Sequence, residues 1–349
     1  MSRLPLLGSH DALLRPERLA PLLAETLDDQ RWLELSADLV EGGKSNLTFR
    51  LSSPAGDLIL RRPPSGKLLQ SAHDMGREAR IQKALADTGV PVPDVIFQET
   101  GGLIGVPFYV MSLVPGHVIR EHLPPGYAES DEEKTRLVDS LVDVLADLHA
   151  VDPAQVGLSD YGRPTGFLER QIRRWNQQWN RSKSRDVGQV DELADRLSGQ
   201  LPTQQAESIV HGDYRLDNCL MDPVEPGRVA AVIDWELSTL GDPLTDLGML
   251  MFYWREPGEP QRVLTPTVTA AAGFPGRDHI LKRYAERTGT ALDEIAFYTA
   301  FAHFKFAVVA QGIAARVAAG SMAGQNFGDL NDEVASIAES GLRTLDGKE

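Results

Sequence analysis

At Pro115-Gly116 the sequence changes texture, and that change limits the folds open to it. Before this point apolar residues come in short runs punctuated by turn residues. After it they recur at helical spacing. Trp32–Leu39, Asn46–Ser52 and Asp57–Arg62 are separated by Gly42-Gly43 and by Pro54-Ala55-Gly56, a pattern that predicts an antiparallel meander. Val95–Phe97 and Phe108–Val114 add two strands across a Gly101-Gly102 turn. Two helices are expected among them. One leads at Leu13–Leu27, and one starts at the S-x-x-D signal Ser71–Asp74 and runs to about Thr88, with Glu78, Ile81 and Leu85 on one face.

Beyond Gly116 the capping box Ser130-Asp131-Glu132-Glu133 opens a helix with Leu137, Leu141, Leu145 and Leu148 on one stripe. Helical patterns follow at Gly166–Arg181, Val190–Leu197, Arg277–Thr288 and Leu292–Ala319, with short strand signals at Leu220-Met221 and Val229–Ile233. Strands first and helices second predict an α+β chain of two lobes, 1–113 and 114–349, which 349 residues readily supply.

Composition narrows the function. Thirty-five basic against 50 acidic side chains give a net charge of −15, which argues against nucleic acid or an anionic membrane as partner. A single cysteine, Cys219, excludes an internal disulfide and a thiolate-rich metal site. The most apolar stretch, Ile295–Ala319, is interrupted by His303, Lys305, Gln311 and Arg316, so a buried helix is expected rather than a membrane span. Met1–Ala20 carries charges throughout and no apolar core, so a cytoplasmic location is expected.

The residues suited to chemistry cluster in His211-Gly212-Asp213-Tyr214-Arg215-Leu216-Asp217-Asn218, a polar run between apolar Ile209-Val210 and Leu220-Met221. Carboxylates and amides fixed at such a junction cost desolvation unless they hold a ligand or one another. The Asp213-x4-Asn218 spacing matches the protein-kinase catalytic loop, whose aspartate accepts a hydroxyl proton and whose asparagine holds magnesium. Asp234, at the end of the Val229–Ile233 strand, supplies a further carboxylate, and a few oxygen ligands suit Mg²⁺. Alone, the run is equally an Asx-rich turn.

Three companions accompany it. The turn Glu41–Asn46 offers backbone N–H groups to phosphates, although Asp38 stands where a P-loop requires glycine. Arg61 on the Leu58-Ile59-Leu60-Arg61 strand and Glu78 on the following helix match the strand-cation and helix-acid pair of kinases. Strand alternation puts Arg61 on the face of Ile59 and sends Arg62 the other way, its head reaching solvent or a neighbouring loop. Phe108–Gly116 runs into the link between lobes and offers backbone groups to an adenine edge.

In this order the motifs resemble the aminoglycoside phosphotransferase family of the protein-kinase-like fold, over roughly Val40–Arg316. The most specific segments are His211–Asn218, Val232–Glu236 and Gly241–Gly248. Gly42–Phe49 and Ser71–Leu85 are most similar to the branch related to kinase modules fused to acyl-CoA dehydrogenases. The resemblance implies a bilobal fold, with a small antiparallel-sheet N-terminal lobe and a larger helical C-terminal lobe. It implies ATP and Mg²⁺ as cofactors and a small-molecule hydroxyl, aminoglycoside-like or hydroxyacyl, as acceptor. Carried over residue by residue, Asp213 is the catalytic base, and Asn218 and Asp234 are the metal ligands. Gly43, Ser45, Asn46, Arg61 and Glu78 are expected at the phosphates, with the Ser112 carbonyl and the Val114 amide at the adenine.

The chain departs from the pattern in two places. Arginine replaces the usual lysine at position 61, and Trp235-Glu236 replaces the Phe-Gly of protein kinases. Asp242 and Asp246 are expected to brace the catalytic loop, and His149 and His303 to be satisfied helix histidines. Two other readings stay open at this stage: a nucleotide-binding pseudokinase, and a metal-dependent hydrolase using His211 and Asp213.

Overall fold

In the computed structural model, residues 11–40, 46–64, 74–204, 206–318 and 330–347 are described. The chain divides into two units: Met1–Pro115 with Ile233–Glu236, and Gly116–Val232 with Leu237–Glu349.

The first unit begins with α1 (Asp11–Leu14) and α2 (Pro16–Thr26). The single leading helix expected here is broken at Arg15, which adopts φ 48° ahead of Pro16. Proline disfavours helical geometry in the residue before it and suits the first helical position. The strand expected from Trp32 is likewise shorter. The Asp29 side chain caps the Arg31 amide and starts a 3₁₀ turn over Gln30–Glu34, so β1 is only Ser36–Leu39.

With β2 (Leu47–Ser53), β3 (Gly56–Arg62), α3 (Met75–Leu85), β4 (Val95–Glu99) and β5 (Phe108–Ser112), the strands form one antiparallel sheet in the order β1-β2-β3-β5-β4. Asp74 caps α3 through the Arg77 amide, and α3 ends at Leu85, short of Thr88. Ser71 lies outside the described residues.

Period-2 alternation gives the sheet two apolar faces. Phe49, Leu51, Leu58, Leu60, Phe108 and Val110 pack with Leu14, Leu19, Leu23 and Trp32. Ile59, Tyr109 and Met111 pack on the other side with Met75 and Ala79 of α3.

The second unit opens with α4 (Asp131–Ala150), whose Ser130 and Glu133 form the reciprocal capping box. It continues through α5 (Phe167–Ser182), α6 (Gly188–Gly199), β6 (Ser208–Val210), β7 (Cys219–Met221), β8 (Val229–Val232), β9 (Thr239–Gly241) and α7 (Leu244–Tyr253). It ends with α8 (Arg277–Thr288), α9 (Ile295–Ala318) and α10 (Leu330–Leu345). The pairs β6-β9 and β7-β8 are antiparallel, and they hold the polar run 211–218 between them in sequence. Close helix contact is set by small residues: a Cβ on Gly248 of α7 would lie 2.5 Å from the Tyr298 backbone of α9. Among the described residues no helix is long and apolar enough to cross a membrane.

Candidate active site

The first unit carries a polar cluster on the α3 face of its sheet. Arg61 on β3 pairs with Tyr109 on β5, and its guanidinium lies beside two carboxylates. Nη2 donates to Asp234 Oδ1 at 2.9 Å, and Nε is 3.2 Å from Glu78 Oε2, an ion pair whose N–H is not aligned for a hydrogen bond. Burial works against the Arg61 charge, but Tyr109, Glu78 and Asp234 outweigh it and raise its pKa, so the guanidinium stays charged. Burial is the largest influence on Glu78 and pushes its carboxyl up, with Arg61 pulling the other way. Tyr109 Oη donates to Glu78 Oε2 at 3.0 Å and accepts from Gln82 Nε2 at 3.1 Å.

Asn46 completes this cluster. Its Nδ2 donates to Glu78 Oε1 at 2.8 Å and to Glu236 Oε2 at 3.1 Å. Asp234 adopts φ 68°, a left-handed conformation uncommon for a residue with a side chain and best tolerated by Asn and Asp. Such backbone strain concentrates at functional sites.

Arg62 turns to the opposite sheet face, but its head is not in solvent. It is buried, with Nη1 donating to the Leu13 carbonyl at 2.6 Å and Nε to the Pro63 carbonyl at 3.1 Å. Leu13 is in the last turn of α1, where carbonyls lack intrahelical partners. Gly43 and Ser45 lie outside the described residues. Ser112, at the end of β5, exchanges bonds with Asp94: its amide donates to the Asp94 carbonyl and its Oγ accepts from the Asp94 amide, each at 2.9 Å. Val114 follows it, half-buried, past the strand end.

The second unit carries the loop between β6 and β7. Gly212 has φ 84°, and a Cβ there would lie 2.7 Å from the Leu237 carbonyl, so only glycine fits. Asp246 on α7 accepts the His211 amide at 2.6 Å and the Gly212 amide at 2.8 Å, pinning the loop from below. His149 Nε2 lies 3.4 Å from the same carboxylate and its Nδ1 bonds Tyr284 Oη at 2.7 Å. Asp242 instead caps the Leu244 amide and accepts from Tyr298 Oη at 2.8 Å, so of the two carboxylates only Asp246 holds the loop.

Asp213 is surrounded by cations and donors. Arg215 Nε is 3.2 Å from its Oδ2, and Tyr253 Oη donates to Oδ1 at 3.2 Å. Burial would raise the Asp213 pKa, but Arg215, Lys305 and His211 together hold it below the usual carboxylate range, leaving an ionised acceptor at neutral pH. The Arg215 guanidinium lies 4.8 Å from the centroid of the Tyr253 ring, and its Nη1 lies 3.0 Å from Asp217. Asn218 Nδ2 donates to the Asp213 carbonyl at 2.9 Å and to Oδ2 at 3.2 Å. That leaves the amide oxygen of Asn218 as its donor atom for a cation.

Tyr253 and Arg215 touch Asp213 and Lys305 acts on it through its charge, and motif spacing assigns none of the three a role. The one available signal was Lys305 itself, a lysine inside the most apolar helix, where an unpaired charge is costly.

Asn218 and Asp234 offer hard oxygen atoms. Among the described residues no three His, Cys, Asp or Glu side chains are grouped to hold a metal unaided. Each oxygen, taken in its own unit, is of the hard kind that Mg²⁺ favours together with phosphates and water.

Residues 36–298 match the family model described as the phosphotransferase enzyme family, three quarters of the chain. The chain belongs to the phosphotransferase enzyme family. It is 34% identical to the crystal structure of a provisionally named aminoglycoside phosphotransferase from Ralstonia eutropha, with a TM-score of 0.79 over 95% of this chain and 98% of that one. A choline kinase from Cryptosporidium parvum shares the fold alone, at TM-score 0.64 and 12% identity, covering 95% of each chain. The kinase-like α+β fold is thereby shown.

Among curated proteins the chain is 35% identical to acyl-CoA dehydrogenase family member 11 of Rattus norvegicus, over 88% of this chain and 40% of that protein. It is 35% identical to family member 10 of Mus musculus, over 85% of this chain and 28% of that protein. The chain thus spans two fifths or less of these relatives' length.

Proposed function

We propose that this protein is a phosphotransferase that moves the γ-phosphoryl group of ATP, with Mg²⁺, to a hydroxyl of a small molecule. The observation that carries the reading is the ionised Asp213, held by Asn218, Tyr253 and Arg215 in a loop pinned by Asp246. Asp213 accepts the proton of the attacking hydroxyl, and the cations around it keep it ionised for that role. Arg61 stays charged and steadies phosphate oxygens, which a guanidinium can grip bidentately. Gly43, Ser45 and Asn46 belong to the phosphate-side turn, while the Ser112 carbonyl and Val114 amide face the adenine. Asp234 and Asn218 are the proposed ligands of Mg²⁺, which when bound supplies charge neutralisation at the phosphate oxygens. Catalysis then rests mainly on positioning and electrostatics.

A fold-level neighbour, a thermostable aminoglycoside phosphotransferase mutant, is seen in ternary complex with ADP and hygromycin B, which supports nucleotide use. The acyl-CoA dehydrogenase relatives support a hydroxyacyl acceptor over an aminoglycoside. The fully buried His211 ring, whose Nδ1 accepts the Asp213 amide, favours a structural role over that of a hydrolase metal ligand.

The test is a panel of hydroxy acids, hydroxyacyl thioesters and aminoglycosides incubated with Mg-ATP. The expected result is ADP release matched by a product heavier by one phosphoryl group. ATP consumption yielding only inorganic phosphate across the panel would overturn the reading.

A further inference from the structure

We infer that Asn46 is a positioning residue that ties Glu236, and through it the Asp234 turn, to Glu78 of α3. Three segments distant in sequence meet at one amide. Asn46 precedes β2 and is buried, Glu78 is in the first turn of α3, and Glu236 is two residues beyond Asp234. Both acceptors of Nδ2 are carboxylate oxygens, at 2.8 and 3.1 Å. An amide nitrogen has two hydrogens and a carboxylate cannot donate to the amide oxygen, so the acceptors fix the orientation of the side chain.

The geometry closes a ring. Arg61 joins Glu78 to Asp234, Asn46 joins Glu78 to Glu236, and the chain Asp234-Trp235-Glu236 joins the two ends. The Arg61 guanidinium and the Asn46 amide each bridge two of three carboxylates, and Tyr109 donates to Glu78 as well, so donors hold like charges together. The Asp234–Arg61 pair holds the turn at one end. The second clasp fixes its direction, and the left-handed φ of Asp234 is strain such over-determination sustains. Buried Trp235 lies between the two clasps.

Aspartate is nearly the same shape as asparagine but only accepts. Asn46→Asp therefore turns both attractions into repulsions, and adding Glu236→Gln restores a donor at the other end of the 46–236 contact. The geometric claim stands apart from nucleotide chemistry, whereas its consequence for Mg-nucleotide binding rests on the proposed function. Amide hydrogen exchange of the whole chain, without nucleotide, is therefore measured first. Exchange at Trp235–Leu237 is expected to speed by about tenfold or more in Asn46→Asp and to return most of the way in Asn46→Asp/Glu236→Gln. Asn46→Ala, which adds no charge, is expected to show a smaller increase at the same amides and serves if Asn46→Asp does not fold.

Titration of each variant with the non-hydrolysable analogue AMP-PNP and Mg²⁺ follows. Affinity is expected to fall about tenfold or more in Asn46→Asp and to recover in the double variant, while metal-free analogue binding changes less. Unchanged exchange at 235–237 in Asn46→Asp and Asn46→Ala, or a double variant no better than the single one, would overturn the tie. Loosened exchange with a wild-type protein that binds no Mg-AMP-PNP would leave the tie standing and overturn the nucleotide-site reading instead.

Discussion

Lys305 and Gly212 are 93 residues apart in sequence, yet the Lys305 ammonium donates to the Gly212 carbonyl, one residue before Asp213. The lysine comes from α9 and lies 5.6 Å from the centroid of the Trp175 ring on α5. Burial lowers its pKa, and Asp213 and Asp246 resist that fall. One ammonium thus holds the loop backbone and balances the charge of the proposed base.

Replacing it with Met is expected to lower kcat by roughly 10–100-fold, the scale of one charge-assisted contact, with the ATP KM nearly unchanged. Arg at 305 should restore part of the rate. Steady-state kinetics at varied ATP checks this, and a change confined to KM would place Lys305 on the nucleotide side.

The two adjacent arginines of β3 separate binding from stability. Arg61→Ala is expected to raise the ATP KM sharply and Arg61→Lys to be partly tolerated, since lysine keeps the charge but not the fork. Arg62→Ala should leave nucleotide affinity alone and destabilise the fold by about 1–3 kcal/mol, because it abandons the Leu13 and Pro63 carbonyls. Urea unfolding beside nucleotide titration distinguishes them. Weakened nucleotide binding in the Arg62 variant would mean that the sheet face has been misassigned.

His303 sets an acid limit. Burial, with Arg262 adding to it, lowers its pKa to about 3, and its Nδ1 donates to the Thr299 carbonyl at 2.9 Å. The unfolded histidine takes up a proton near its ordinary pKa of about 6.5, while the folded one stays neutral. Stability from this group is therefore complete above about pH 6.5 and is lost as pH falls toward 3, by up to a few kcal/mol. His303→Gln should flatten the dependence of unfolding free energy on pH between about 6.5 and 4. An equally steep slope in the variant would assign the acid sensitivity to other groups.

Periodicity and turn chemistry made much of the fold legible. Ser130-x-x-Glu133 marks the start of α4, and Arg277–Thr288 is α8 residue for residue. The pattern failed where local chemistry overrode it: Pro16 split the leading helix, and Asp29 turned the start of an expected strand into a 3₁₀ turn. β6, β9 and α7 show no periodic signal: the two strands are three residues each, and the helix is buried on nearly every side. Motif spacing pointed to Asp213, Asn218, Asp234, Arg61 and Glu78, and the structure brings Arg61, Glu78 and Asp234 together and Asp213 and Asn218 together. The contacts of Lys305, Tyr253 and Glu236 depend on distant segments meeting, which spacing along one chain does not encode.

In the proposed reaction Asp213 takes the proton from the acceptor hydroxyl during phosphoryl transfer. Its most direct test is single-turnover transfer from Mg-ATP to the acceptor found by the panel, in wild type and Asp213→Asn, with nucleotide affinity measured in parallel. Unchanged nucleotide affinity and a rate lower by roughly 10²–10⁴-fold are expected, the range for a positioned base. Transfer at a near wild-type rate in Asp213→Asn would contradict it.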